Sequence, residues 1–244
     1  MRIERLILTA AVLFAVPLAG AEEKTITTPQ LIAKLSGPAA KRDFTLLDAR
    51  TAVEFKEAHI PGAISLPARA VAAQLPKIVK SKAAQVIFYC NGPNCTKSTM
   101  AAKAALADGY TNVVEFREGM PGWGESGQKI EGTPLPSFDA PLISAADLKA
   151  ALAGKDAPVL VDVRDPEEFP GFHIAQAVNV PLDDLAAYGA KKLPAGRAVV
   201  VVDHAGHQTL VAGRVLHSLG RADVKRLDGG TLKWQAAGFP VVTR

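Results

Sequence analysis

Two cysteines, the only ones among 244 residues, stand five positions apart at Cys90 and Cys95, and Lys97 and Ser98 follow at once. A thiolate is a strong nucleophile. It is favoured by loop N–H groups arranged as an anion-binding nest and by the positive potential of a helix N-terminus. The surroundings of Cys90 offer both. Val86, Ile87, Phe88 and Tyr89 form the apolar run of a buried strand, and the run stops at Cys90. Gly92 and Pro93 mark a loop, and the Ala-rich stretch from Lys97 to Gly109 has the composition of a helix. Cys90 therefore falls between a strand end and a helix start. That position suits a nucleophile, and it also suits a small apolar residue that closes a core strand. A disulfide between cysteines so close in sequence would close only a very short loop, so their purpose points to chemistry rather than to a framework.

The elements around this loop occur twice. Residues 46–67, LLDARTAVEFKEAHIPGAISLP, match residues 160–181, LVDVRDPEEFPGFHIAQAVNVP, at an offset of 114. The match pairs Asp48 with Asp162, Arg50 with Arg164, Glu54 with Glu168 and His59 with His173. Later landmarks pair at an offset of 111: Ser98 with Thr209, Trp123 with Trp234, Gly127 with Gly238. Self-similarity on this scale implies two copies of one fold. They are expected over residues 24–130 and 142–244, joined by the Pro/Gly-rich linker EGTPLPSFDAP at 131–141. The offset changes partly within the loop itself: Cys90 to Ser98 spans eight positions, whereas Asp203 to Thr209 spans six. The second copy carries Asp203 where the first carries Cys90.

Within the first copy the pattern predicts a helix over 28–35, strands at 45–49 and 63–66, and a helix around 68–79. The strand into Cys90, the helix after it, a strand at 113–116 and a short helix near Trp123 follow, with a turn at EFKEAH between the first two strands. The second copy repeats the order with helices over 145–152 and 208–219 and strands at 158–163, 198–202 and 224–227. Short apolar strands alternating with helices imply an α/β fold, each copy a mostly parallel sheet with helices on both faces. Ligands in such sheets bind beyond the carboxyl ends of the strands, where Cys90 and Asp203 lie.

Composition narrows the function. The net charge of +4 comes from interspersed acidic and basic residues, and no arginine-rich or basic–aromatic stripe suggests nucleic acid. Arg2 and Arg5, an apolar run over 6–18 and Ala19-Gly20-Ala21 form a signal-peptide pattern over residues 1–21. Cleavage near Ala21 would send the chain to the periplasm or outside the cell. The apolar run is short for a membrane span, and no later segment is apolar enough for one, so no stable membrane insertion is expected after cleavage. No glycine fingerprint for a phosphate cofactor is present and no cofactor is expected. The run Asp203-His204-x-x-His207 has metal-ligand residue types, but no further ligand lies near it in sequence and no metal is expected.

The combination LLDAR, EFKEAHIPGAISLP, VIFYC before a loop closed by Ser98, and GMPGWGESG resembles the rhodanese family, and LVDVR, EEFPGFHI and RLDGGTLKWQAAGFPV resemble it a second time. The resemblance covers residues 24–244 almost throughout and implies tandem rhodanese-like domains. It implies a persulfide carried on Cys90, a small sulfur-containing anion such as thiosulfate as donor, and a thiol, cyanide or a protein as acceptor. The second domain, lacking the cysteine, is implied to be inactive; in familiar tandem members the inert copy is usually the first. The family loop is commonly C-x-x-G-x-R before Ser or Thr. Here it is two residues longer, Lys97 stands at the arginine position and Cys95 is extra.

In this reading Cys90 is the nucleophile, and Asn91, Gly92, Asn94, Cys95, Thr96, Lys97 and Ser98 form the substrate-binding loop, with amides that cradle an anionic sulfur. Lys97 either attracts the donor as a point charge or is an exposed first-turn lysine. Cys95 either forms a disulfide with Cys90, resolves the persulfide with release of sulfide, or packs as a bystander. Two other functions compete: a non-catalytic redox or binding module locked by a Cys90–Cys95 disulfide, and a phosphatase- or arsenate-type activity on the enlarged loop. The missing arginine weighs against the last, because phosphate favours a bidentate clamp. Asp48, Arg50, His59, Trp123 and their repeats are expected to be scaffold, since they recur in the copy that has no cysteine.

Overall fold

The structure, a computed structural model, describes residues 24–243; the expected signal segment at 1–21 lies outside them. The first unit runs β1 (Lys24–Thr25), α1 (Thr28–Leu35), β2 (Phe44–Asp48), α2 (Ala52–Glu57), β3 (Ile64–Ser65), α3 (Val71–Ile78), β4 (Gln85–Tyr89), α4 (Lys97–Ala107), β5 (Val113–Phe116) and α5 (Gly119–Glu125). The second runs β6 (Leu142–Ile143), α6 (Ala145–Ala153), β7 (Val159–Asp162), β8 (Val178–Asn179), α7 (Leu185–Lys192), β9 (Val199–Val202), α8 (Gln208–Ser218), β10 (Val224–Leu227) and α9 (Gly230–Ala236). The two five-stranded sheets have equivalent orders, β1-β5-β4-β2-β3 and β6-β10-β9-β7-β8, and every pairing is parallel.

β4 is the middle strand and is covered on both sides, which is why its sequence is continuously apolar rather than alternating. Val86 and Phe88 pack with Val71 and Leu75 of α3 and Ala101 and Ala105 of α4. Ile87 and Tyr89 face the other way, toward Leu31 of α1 and Trp123 of α5. In β9, Val199 and Val201 meet Leu185 and Leu216, while Val200 and Val202 meet Leu148 and Trp234. Two helical layers thus hold each central strand, and the strand ends, at Cys90 and Asp203, are fixed from both faces.

The structure corrects the local reading in two places. The segment expected as a turn at EFKEAH begins inside a helix, α2, because Thr51 and Glu54 form a reciprocal capping box at its start. The second copy has only turns there: Pro170 has no N–H to donate and Gly171 follows it. The helix expected around 68–79 divides into a 3-10 turn at Ala68–Ala70 and α3. The stretch at 131–141 is docked along its length: Glu131 bridges to His59, the Thr133 amide donates to the Lys56 carbonyl at 2.7 Å, and Leu135 and Phe138 pack on the core of the second unit.

Candidate active site

Cys90 follows β4 directly and is 1% exposed. The loop after it folds back in a turn closed by the Cys95 amide on the Gly92 carbonyl at 2.9 Å, and Gly92 takes φ 94°. Gly119, at φ 57°, lies against this loop, and the Met120 amide donates to the Cys90 carbonyl at 2.9 Å. A methyl group on Gly119 would drive into the Cys90 carbonyl and the Gly92 amide. The left-handed backbone adds roughly 1–2 kcal/mol for any other residue. Gly119→Ala is therefore expected to lower the melting temperature and displace the loop. Gly127→Ala, at φ 70° but facing open space, should cost only the backbone strain. Equal melting shifts for the two variants would refute the loop contact.

The Cys90 sulfur lies 3.1 Å from Ser98 Oγ and 3.4 Å from the Cys95 carbonyl. Ser98 Oγ also donates to Glu115 Oε1 at 2.7 Å, and Thr99 Oγ1 donates to the same oxygen at 2.8 Å. Glu115 is a buried charge within the short apolar strand VVEF of β5. Sequence reasoning passed over it; an acidic residue inside so apolar a strand was the available signal. Burial pushes the Cys90 thiol up, but hydrogen bonds from the Cys95 thiol, the Ser98 hydroxyl and amide, and the Asn91 amide outweigh it and hold the thiol below its ordinary value. Ser98 has one hydroxyl proton, shared with Glu115, so the Cys95 thiol and the amides carry most of this lowering. Cys95 moves the opposite way: its hydrogen bond to Cys90, then burial, raise its pKa, although the Asn91 and Lys97 amides act against that. Ultraviolet titration of thiolate absorbance is expected to show two separated steps, on either side of the ordinary thiol value. In Cys95→Ala the lower step should move up. One unsplit step in the wild type would refute the pairing.

The other loop residues divide. The Asn91 side chain is held by Glu54 Oε1 at 2.5 Å and Arg50 Nη1 at 3.4 Å. Gly92 is buried, Asn94 and Thr96 are exposed, and Cys95 is half-buried. Lys97 is the main correction. It is neither an exposed lysine nor an uncompensated cation. It is 4% exposed, and its Nζ pairs with Asp165 and with Glu168 Oε2 at 3.3 Å, both from the second unit. Burial works against its charge, but Glu168 and Asp165 prevail and hold it protonated well above the ordinary lysine value.

The two loops face each other across the units. Asn91, Asn94, Cys95, Thr96 and Lys97 line a cavity of about 20 Å³ with Glu168, Asp203, His204, Ala205, His207 and Gln208. Beside it opens a cleft of about 510 Å³ walled by Pro93, Met100 and Phe172, with Lys103, Arg117 and Arg164 among its charged groups. Cys95, Thr96, Glu168 and His204 line both spaces, and Cys90 lines neither. In the second loop, the Asp203 carboxylate accepts from the Gly206 amide and, at 2.6 Å, from the Gln208 amide. Burial raises its pKa against these two amides. Its carboxylate is thus turned onto its own loop. Among the described residues no group of three or more His, Cys, Asp or Glu side chains is placed to hold a metal ion.

The repeated polar residues hold the frame. Asp48 Oδ1 accepts from the Arg50 amide at 3.0 Å, and Asp162 Oδ1 from the Arg164 amide at 3.1 Å; each arginine also grips its aspartate through the guanidinium. His59 and His173 stack on Phe55 and Phe169 with ring centres 3.9 Å apart in both copies. Trp123 and Trp234 donate to the carbonyls of Lys129 and Pro240 at 2.9 and 3.0 Å.

Comparison with known proteins agrees with the duplicated architecture. The family model for the rhodanese-like domain matches residues 28–126 and again 144–237. An uncharacterized protein of Synechocystis is 38% identical over 93 residues, which are 37% of this chain and 50% of that protein. A sulfurtransferase of Allochromatium vinosum is 30% identical over 100 residues, 41% of this chain and 92% of that protein. The chain spans half or less of the length of several curated relatives it matches. The crystal structure of a thiosulfate sulfurtransferase from Pseudomonas aeruginosa aligns with 90% of this chain and 43% of its own, at 22% identity and a TM-score of 0.45.

Proposed function

The chain belongs to the rhodanese-like domain family, and we propose that it is a sulfurtransferase or sulfur carrier that works through a persulfide on Cys90. The observation that carries this reading is the state of Cys90: a buried sulfur at the carboxyl end of the central strand, with loop amides aimed at it and its thiol held below the ordinary value. Lowering the thiol favours the thiolate, which is the nucleophile. The likeness of one unit to a curated sulfurtransferase, across 92% of that protein, supports the same chemistry.

In the first step the Cys90 thiolate attacks the outer sulfur of thiosulfate. The sulfur–sulfur bond of the donor breaks, sulfite leaves with the electron pair, and Cys90–S–S⁻ remains. An acceptor nucleophile, a thiol or cyanide, then attacks the outer sulfur, and Cys90 departs as thiolate. Because Lys97 is neutralised by Asp165 and Glu168, attraction of an anionic donor falls to Lys103 on the cleft, helped by the half-exposed Arg117, which shares its charge with Glu115 at 3.5 Å. The neutralised Lys97 also weighs against a phosphate-ester substrate, whose charge needs a free cation near the nucleophile. The second unit supplies no thiol; it supplies the carboxylates that fix Lys97 and one wall of the cleft. Its part is structural.

The test is the intact mass of the reduced chain after brief exposure to thiosulfate, and separately to an organic persulfide. A gain of one sulfur atom supports the reading; no gain from either donor overturns it. The export of the chain belongs to the same proposal and rests on the pattern at residues 1–21. Cell fractionation tests it: retention in the cytoplasm would refute it.

A further inference from the structure

We propose that Cys95 is the outlet of the sulfur path: it takes the sulfane sulfur from Cys90 and offers it in the cleft to an organic thiol. This rests on the Cys90 persulfide reading and goes a step beyond it. Cys90 is buried and lines neither the cavity nor the cleft, whereas Cys95 is half-buried and lines both. An acceptor with any organic substituent therefore meets Cys95 first. The two thiols are hydrogen-bonded to each other, on a loop fixed by the Cys95 amide on the Gly92 carbonyl and by the Cys95 carbonyl 3.4 Å from the Cys90 sulfur. The amides of Asn91 and Lys97 are directed at the Cys95 sulfur, a second resting place for an anionic sulfur.

The transfer balances without an oxidant or reductant. The Cys95 sulfur attacks the outer sulfur of Cys90–S–S⁻, and a bond forms between them. The bond from Cys90 to the outer sulfur breaks, and its electron pair returns to Cys90. The Cys95 thiol proton moves to the Cys90 sulfur, along the contact the two thiols already make. Cys95–S–S⁻ results. The pKa order agrees: a thiol held low is the better leaving group, and a thiol held high is the better nucleophile once deprotonated. The cleft of about 510 Å³ has the size of a small-molecule site, and Met100 and Phe172 with Lys103, and with Arg117 beside its partner Glu115, suit a thiol that carries an anionic group.

The experiment uses the full chain, loaded with thiosulfate, then quenched by alkylation and mapped by peptide mass spectrometry. Sulfur is then chased with glutathione in one arm and with cyanide in the other. In the wild type the extra sulfur is expected on Cys95 as well as Cys90. Cys95→Ser and Cys95→Ala should still load one sulfur on Cys90, which also shows that they fold. Loss of the Cys95 thiol removes a hydrogen bond that holds Cys90 low and so slows both transfers, but the ratio of the glutathione rate to the cyanide rate should fall about tenfold or more. An unchanged ratio in both variants would overturn the outlet and leave the Cys90 persulfide standing. Recovery of a Cys90–Cys95 disulfide with released sulfide would also overturn it, because Cys95 would then have attacked Cys90 instead of the outer sulfur. Absence of loading in the wild type would remove the persulfide reading and the outlet together.

Discussion

Cys90→Ser is expected to take up no sulfur from thiosulfate or from an organic persulfide, a loss of roughly a thousandfold or more, while the fold survives. Serine is close to cysteine in volume, and its hydroxyl finds Ser98 Oγ and the Cys95 carbonyl at the places where the thiol now makes its contacts. Stability should therefore change by only about 1 kcal/mol. Chemistry is lost because a hydroxyl at neutral pH is neither ionised nor soft enough to attack sulfur. Circular dichroism and intact mass on the same sample check both halves. Full loading in this variant would move the nucleophile to Cys95.

Lys97→Met is expected to be the most damaging substitution for stability, by about 3–5 kcal/mol. It leaves Asp165, 6% exposed, and its neighbour Glu168 facing each other without a cation. Denaturant unfolding measures the loss. Its sign with pH is fixed by the direction of the Lys97 shift. The folded pKa is raised, so the lysine's contribution is complete below the unfolded lysine value and fades only as alkali strips the ammonium. Adding Asp165→Asn and Glu168→Gln should recover most of the loss. The dependence of sulfur loading on donor concentration should change by less than about threefold in the folded variant. A collapse of donor affinity at full stability would restore Lys97 as the donor's cation.

Lys97 also shows where sequence reasoning ends. The strand into Cys90, the loop and the helix start are local, and their apolar run, Gly-Pro and Ala-rich composition state them directly. The duplication was legible because the Asp-x-Arg, His-Ile and Trp landmarks recur at nearly constant offsets, and each pair proves to make the same contact in both units. The partners of Lys97 lie 68 and 71 positions away in another unit, and no local pattern encodes such a pairing. Glu115 was hidden for the same reason: its partners Ser98 and Thr99 lie on the preceding helix, 17 and 16 positions back. The helix α2 was legible in principle, for Thr51-x-x-Glu54 is a capping signal, but its few residues carry too little periodicity to outweigh the turn reading. Of the two-residue edge strands only β3 was legible, as part of 63–66; β1, β6 and β8 have no signal of their own, and register with a longer neighbour makes them strands.

The carboxylate of Asp203, bound by the amides of its own loop, has a consequence for the first unit. Aspartate sets an anionic oxygen two bonds beyond Cβ, and a cysteine persulfide sets its terminal sulfur at the same remove. On the proposed persulfide reading, Asp203 therefore carries in oxygen, on a loop two residues shorter, the negative charge that a loaded Cys90 would carry in sulfur. Gly206 and Gln208 correspond to Cys95 and Lys97 at the offset of 111, yet the counterparts of the amides that grip Asp203 have other duties in the longer first loop. The Cys95 amide closes a turn on the Gly92 carbonyl, and the Asn91 and Ser98 amides serve the Cys90 sulfur instead. On the proposed reading, one unit would turn over while the other holds a fixed carboxylate at the equivalent strand end.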